Sequence, residues 1–267
     1  MLSEDRRHAK PTDANQQEVD RLFADEAGEW ATQYLVDDAF RSRLFVVGGI
    51  VRTELHRTPG PVLDFGGGAG IFSAVASVDS EFVLCVDRSV QMLASGAQSS
   101  DLLTKVVQQL GADYRPDRVH RIATDISTLS PKSRRMYSLV LAIAVLEYIV
   151  DVDGVVQQLA DMMTSDGRLV ILVPNPRSVL RILRGAAHAA KRAAGRIRRV
   201  SRGQARHYMD IRPHGSRVPW RQALANAGLS PISIQPLPFG VDGWGRHFAP
   251  SVVVVARSSA ASRTSPK

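Results

Sequence analysis

The chain has 267 residues, 44% hydrophobic and 22% charged, which suits one α/β domain with a substantial core and excludes wholesale disorder. Its one cysteine, Cys85, excludes an intrachain disulfide, residues 1–15 lack the apolar run of a secretory signal, and no stretch reaches the ~20 apolar residues of a membrane span. A cytoplasmic setting is expected. The net charge of +8 speaks to partners rather than fold, and it is unevenly placed: 177–209 is rich in Arg and Lys without an Asp or Glu.

In chain order, apolar residues recur at helical spacing over 16–57, through Val19, Leu22, Phe23, Trp30, Tyr34 and Leu35 and then Phe40 to Leu55. Residues 1–57 are therefore expected to form an N-terminal helical cap, ended by the Thr58-Pro59-Gly60-Pro61 break. Short apolar runs predict strands over 62–65, 82–87, 120–125, 137–144 and 168–173. Helices are predicted over 71–78, 89–97, 102–110 and 152–163, with Ser89 an N-cap. Strands alternating with helices, each strand apolar on both faces, imply a parallel sheet covered on both sides. A helix over 220–227 is followed by strand-like runs over 231–235 and 251–256. No helix is predicted between those two, so they form an antiparallel pair at the sheet edge. The main domain is set at 58–257, with a basic helical insertion at about 177–215 and a loose tail over 258–267.

Between the first strand and its helix lies Asp64-Phe65-Gly66-Gly67-Gly68-Ala69-Gly70. Glycines let a ligand approach the backbone, and the helix start that follows offers N–H groups to a negative group. Ligands of open α/β sheets bind outside the carboxyl ends of the strands, where Asp64 and Asp87 fall. Here the chain resembles the class I S-adenosylmethionine-dependent methyltransferases. Asp64, Gly66, Gly68 and Gly70 fit that superfamily's D/E-x-G-x-G-x-G motif, and Asp87 to Leu93 looks like its D-x-S-x-x-M-L. Val145-Leu146-Glu147-Tyr148 is similar to its V-L-E-H exit from strand four, with Tyr148 in place of His and, earlier, Ser138 in place of the common Asp. Asp166-Gly167-Arg168-Leu169 resembles its turn before strand five.

The resemblance implies a Rossmann-like, seven-stranded, mostly parallel sheet and an S-adenosyl-L-methionine cofactor. By it, Asp64, Gly66, Gly68 and Gly70 hold the methionine end. Asp87 takes the ribose hydroxyls, Asp125 takes the adenine edge, and Arg88, Ile126 and Ala142 complete the pocket. Trp30 and Tyr34 cover the cofactor or belong to the core. Each acid has a structural reading too: Asp87 and Asp125 as caps, Glu147 as a helix cap. Cys85 reads as core. No zinc-ligand spacing is present, so no metal is expected. A nicotinamide-dependent oxidoreductase shares the glycines and the second acid, but its G-x-G-x-x-G is poorly met. A non-catalytic cofactor-binding protein is the other alternative.

The expected reaction is methyl transfer to a hydroxyl of a small or lipid-linked molecule, with Glu147 and His207 as candidate bases. His207, Tyr208, Asp210 and His214 form a polar cluster after the basic segment. Over 178–200, Leu183, Ala186, Ala187, Ala190 and Ile197 make a helical stripe flanked by Arg and Lys. It reads as a lid, as a peripheral contact with anionic membrane, or as a nucleic-acid surface. The lid is preferred and nucleic acid disfavoured, because no D/N-P-P-Y/F follows strand four. The oligomeric state is left open.

Overall fold

The computed structural model describes residues 13–129, 134–175, 178, 217–237 and 249–259. The helical segment expected over 16–57 is three helices: α1 (Asp13–Trp30), α2 (Gln33–Val36) and α3 (Asp38–Arg57). Asp37 makes the break. Its carboxylate accepts from the N–H groups of Ala39 and Phe40 at 2.8 and 3.1 Å, starting α3 afresh as an N-cap.

Seven strands follow with the predicted helices between them: β1 (Val62–Phe65), α4 (Ile71–Ala76), β2 (Val83–Asp87), α5 (Val90–Gln98), α6 (Ser100–Gln108), β3 (Val119–Ala123), β4 (Tyr137–Ile143), α7 (Val152–Met162), β5 (Met163–Pro174), α8 (Trp220–Asn226), β6 (Leu229–Leu237) and β7 (Ser251–Ser258). Ser89 caps α5, accepting from Met92 N–H at 3.2 Å. The sheet order is β3-β2-β1-β4-β5-β7-β6; β7 is antiparallel to both β5 and β6 and the other pairings are parallel.

Alternate residues of each strand supply two cores. Val62, Val83, Cys85, Leu139, Leu141, Val170 and Leu172 pack with the cap and with α4 and α6. Leu63, Leu84, Val86, Val140 and Ile171 pack with α7 and α8. Two details depart from the sequence reading. β5 begins at Met163, directly after α7, because Tyr137 pairs with Met163 while Leu139 pairs with Arg168. The surplus residues, Asp166 and Gly167 among them, form a bulge inside one strand. Asn175 of the Pro-Asn-Pro run is structural: its amide donates to the Ala249 carbonyl at 2.9 Å, tying the end of β5 to the approach to β7.

No described helix is long and apolar enough to cross a membrane. The expected basic helix over 178–200 and the 207–214 cluster, including His207, lie outside the described residues apart from Ser178.

Candidate active site

β1 runs into the glycine segment, with β2 parallel beside it. Gly66, Gly68 and Gly70 have φ of 66°, 56° and 79°, the left-handed region that residues with a Cβ avoid. Space confirms the need. A Cβ on Gly66 would overlap the Val145 side chain, and one on Gly68 would lie 2.8 Å from Met92 Cε. The loop holds itself: the N–H groups of Gly66 and Gly67 donate to the Val86 carbonyl at 2.7 and 3.2 Å, and that of Gly70 to Gly67 at 2.8 Å. Gly68 N–H donates to Asp87 at 2.9 Å. The glycines supply turn and clearance, and their hydrogen bonds are spent within the protein.

Asp64 is buried on the α4 face of β1, opposite Cys85 in register. It accepts from Ser73 Oγ of α4 at 2.6 Å. Burial, opposed by Ser73 and aided by the charge of Asp87, raises its carboxyl from 3.8 to about 6. Burial raises the Cys85 thiol as well, so this cysteine is core and no nucleophile. Asp87 ends β2; besides Gly68 it accepts from Ser89 N–H at 2.8 Å, so one carboxylate links loop and helix α5.

Asp125 lies beyond the end of β3 and caps the 3₁₀ turn Ile126–Thr128, accepting from Ser127 N–H and Oγ, both at 2.9 Å. Arg88 reaches it at 3.4 Å, bridging the tips of β2 and β3. Ile126 and Ala142 are buried in the core under α7 and α8; at the exit of β4 the residue on the rim is Ala144, left-handed at φ 58°. Glu147 is buried in the turn that follows, 5% exposed. The next residue, Tyr148, meets Phe23 of α1 edge-on with centroids 5.0 Å apart. The cap therefore reaches across the site to the exit of β4.

Two residues that shape the site were not singled out from the sequence. Ser73 supports Asp64. Gly96 of α5 has no room for a side chain, since a Cβ there would overlap the Ala69 carbonyl oxygen; an isolated glycine inside a helical pattern was the signal for it. Among the described residues no cluster of His, Cys, Asp and Glu could hold a metal ion.

A family model described as a methyltransferase domain matches residues 35–234. The chain belongs to that family. It is a class I S-adenosylmethionine-dependent methyltransferase, and the nicotinamide reading falls. The sheet agrees, because β7 enters antiparallel between β5 and β6, unlike the parallel 3-2-1-4-5-6 order of dinucleotide-binding folds.

Solved methyltransferases share the fold. Magnesium protoporphyrin IX methyltransferase of Synechocystis is 17% identical, with 90% of this chain and 99% of that chain covered at a TM-score of 0.58. For 1,6-didemethyltoxoflavin-N1-methyltransferase of Burkholderia thailandensis the values are 16%, 97%, 98% and 0.56. For geranyl diphosphate C-methyltransferase of Streptomyces coelicolor they are 16%, 94%, 100% and 0.56. No curated protein matches the chain.

The residues fit the cofactor. The glycine segment is a cradle that side chains would fill, and it is flanked by two carboxylates suited to an ammonium and to ribose hydroxyls.

Proposed function

We propose that this methyltransferase moves a methyl group to a hydroxyl of a small, largely apolar or lipid-linked molecule. The observation that carries the reading is the buried Glu147 at the exit of β4, beside the Phe23–Tyr148 contact. A buried carboxylate next in sequence to Tyr148, whose ring meets Phe23, suits an apolar acceptor that must lose one proton. The solved neighbours with bound 1,6-didemethyltoxoflavin and geranyl diphosphate support a small-molecule acceptor.

When bound, the cofactor supplies a methyl group on a positive sulfur. The chain's own residues do the rest. Gly66, Gly68 and Gly70 leave room for the methionine end. Asp64 offers its charge to the ammonium, Asp87 takes the ribose hydroxyls, and Asp125 with Arg88 borders the adenine. Holding acceptor and methyl donor together supplies much of the rate. Glu147 Oε takes the acceptor's hydroxyl proton, with His207 as the second candidate base. The basic segment over 178–200 is proposed as the lid over the acceptor, with contact to an anionic surface as its second use.

Calorimetric titration with S-adenosylhomocysteine tests the cofactor placement. Micromolar binding is expected, abolished by Asp87→Ala. Glu147→Gln should keep that affinity and lose methylation of a panel of phenols and prenylated phenols. Turnover preserved in Glu147→Gln and lost in His207→Ala would hand the base role to His207.

A further inference from the structure

α3 has a second face that the domain does not use. Its inner face, with Leu44, Val47, Val51 and Leu55, is buried in the core. The opposite face carries Asp38, Ser42, Phe45, Gly49, Arg52 and His56. Their spacing alternates four and three, which keeps them on one line of a helix. Asp38, Phe45, Gly49 and His56 are exposed, and Ser42 and Arg52 partly so.

The middle of that line is a knob beside a hole. Phe45 is 47% exposed, although a side chain of this size gains from burial. Gly49 lies one turn further on, and a Cβ there would meet nothing within 4 Å among the described residues. Its neighbour Gly48 differs: a Cβ there would lie 2.9 Å from Leu110 Cδ1, so that glycine serves packing within the domain. Packing within the domain gives no such reason for glycine at 49, where it is a poor helix former.

The two ends of the line carry opposite charge. Asp38, in the first turn, is 87% exposed and meets Arg41 at 3.7 Å; Asp37 beside it is exposed too. The last turn presents His56 and Arg57 to solvent, while the acids they meet, Asp79 and Glu54, lie largely inside. A face that is acidic at its start and basic at its end matches a copy of itself laid antiparallel, the self-complementarity that a two-fold interface requires. Turned about Val47, the line reads onto itself: Asp38 faces His56, Ser42 faces Arg52 and Phe45 faces Gly49.

We propose that the outer face of α3 is a homodimer interface, formed by antiparallel pairing of two α3 helices about Val47, with each Phe45 ring seated in the notch at Gly49 of the partner subunit. A line about 27 Å long at 1.5 Å per residue covers less than the about 800 Å² per partner of a standard interface. The dimer is therefore transient and forms at high protein concentration.

The test is sedimentation velocity of the full chain over a concentration series that reaches the high micromolar range. The wild type should pass from monomer to dimer along the series. Phe45→Glu and Gly49→Gln should each weaken association about tenfold or more, the scale of a lost central contact. Gly49→Gln should at the same time raise the Tm, because glutamine is the better helix former. That separates loss of pairing from loss of fold, and Gly49→Gln carries the test if Phe45→Glu does not fold. A chain that stays monomeric at every concentration would overturn the proposal, as would a dimer that survives either substitution unchanged.

Discussion

Two carboxylates are buried in this protein, one on α3 and one on β1, and their surroundings differ in kind. Glu54, at the amino end of the parallel strands, is 5% exposed and lies between two cations, Arg57 at 2.9 Å and Arg168 at 3.7 Å. Asp64, at the carboxyl end, is 1% exposed. It has a serine hydroxyl for support and a second carboxylate, Asp87, close enough to raise it. Glu54 has its counter-charges within the fold, although Glu54 Oε2 and Arg168 Nε face each other without a hydrogen bond. A buried charge without a counter-charge is held there by the rest of the fold, and that is where a ligand's charge belongs.

The widest test of this contrast is at the amino end. Glu54→Ala leaves the largely buried Arg168 without its carboxylate, so the chain should lose about 3 kcal/mol of stability. Affinity for S-adenosylhomocysteine should stay at the wild-type value. Urea unfolding and calorimetry on the same sample check both halves; a matching loss of affinity would show that the two ends are not separable.

Asp64 should behave in the opposite sense with pH. Its folded carboxyl, raised to about 6, stays protonated where the unfolded one has ionised. Its contribution is full below about pH 4 and is lost as pH rises toward 6, about 3 kcal/mol in all. Asp64→Asn removes that dependence and keeps an acceptor for Ser73. Subtracting the variant's stability profile from that of the wild type between pH 4 and 7 isolates the effect; parallel profiles would mean that Asp64 titrates normally. Cofactor affinity should move the other way, rising through pH 6 as the carboxylate becomes available to an ammonium.

Gly96→Ala is the next step down. A methyl on α5 would press on the Ala69 carbonyl, and overpacking of this kind costs about 2 kcal/mol. Because the pressed atom belongs to the glycine segment, affinity for S-adenosylhomocysteine should fall with stability, unlike in Glu54→Ala.

These residues also show what could be read in the chain beforehand. The order of elements, the loop and Asp87 were legible because each is local: an apolar run, a dense glycine segment, an acid at a strand end. Asp125 was legible as a residue, but its place beyond β3 as the cap of a turn depends on where pairing stops. Glu54 and Gly96 were not legible as anchor or close contact. Their roles come from partners far along the chain, Arg168 and Ala69, and no spacing encodes those. The break at Asp37 was not marked in the helical segment over 16–57, because the apolar periodicity runs on past a side chain that restarts the helix.

The smallest effect tests the same contrast along a single strand. Arg135, just before β4, and Ala144, just after it, both have positive φ, 54° and 58°, where a side chain costs about 1 kcal/mol relative to glycine. Arg135→Gly and Ala144→Gly should therefore each stabilise the chain by up to about 1 kcal/mol. Their effects on the ligand should differ. Arg135 lies at the amino end, and its backbone N–H serves only to hold the Asp161 carbonyl at 3.0 Å. Ala144 sets the direction of Val145, which packs on Gly66, and of the turn that carries Glu147. Loosening it should weaken S-adenosylhomocysteine binding about two- to threefold, the scale of a few tenths of a kcal/mol, while Arg135→Gly leaves binding unchanged. Equal affinities in the two variants would mean that the strain at Ala144 is a feature of the turn alone. A difference would place that strain in the service of the site, since a residue held in an unfavourable conformation at the ligand end persists only where the surrounding structure determines it.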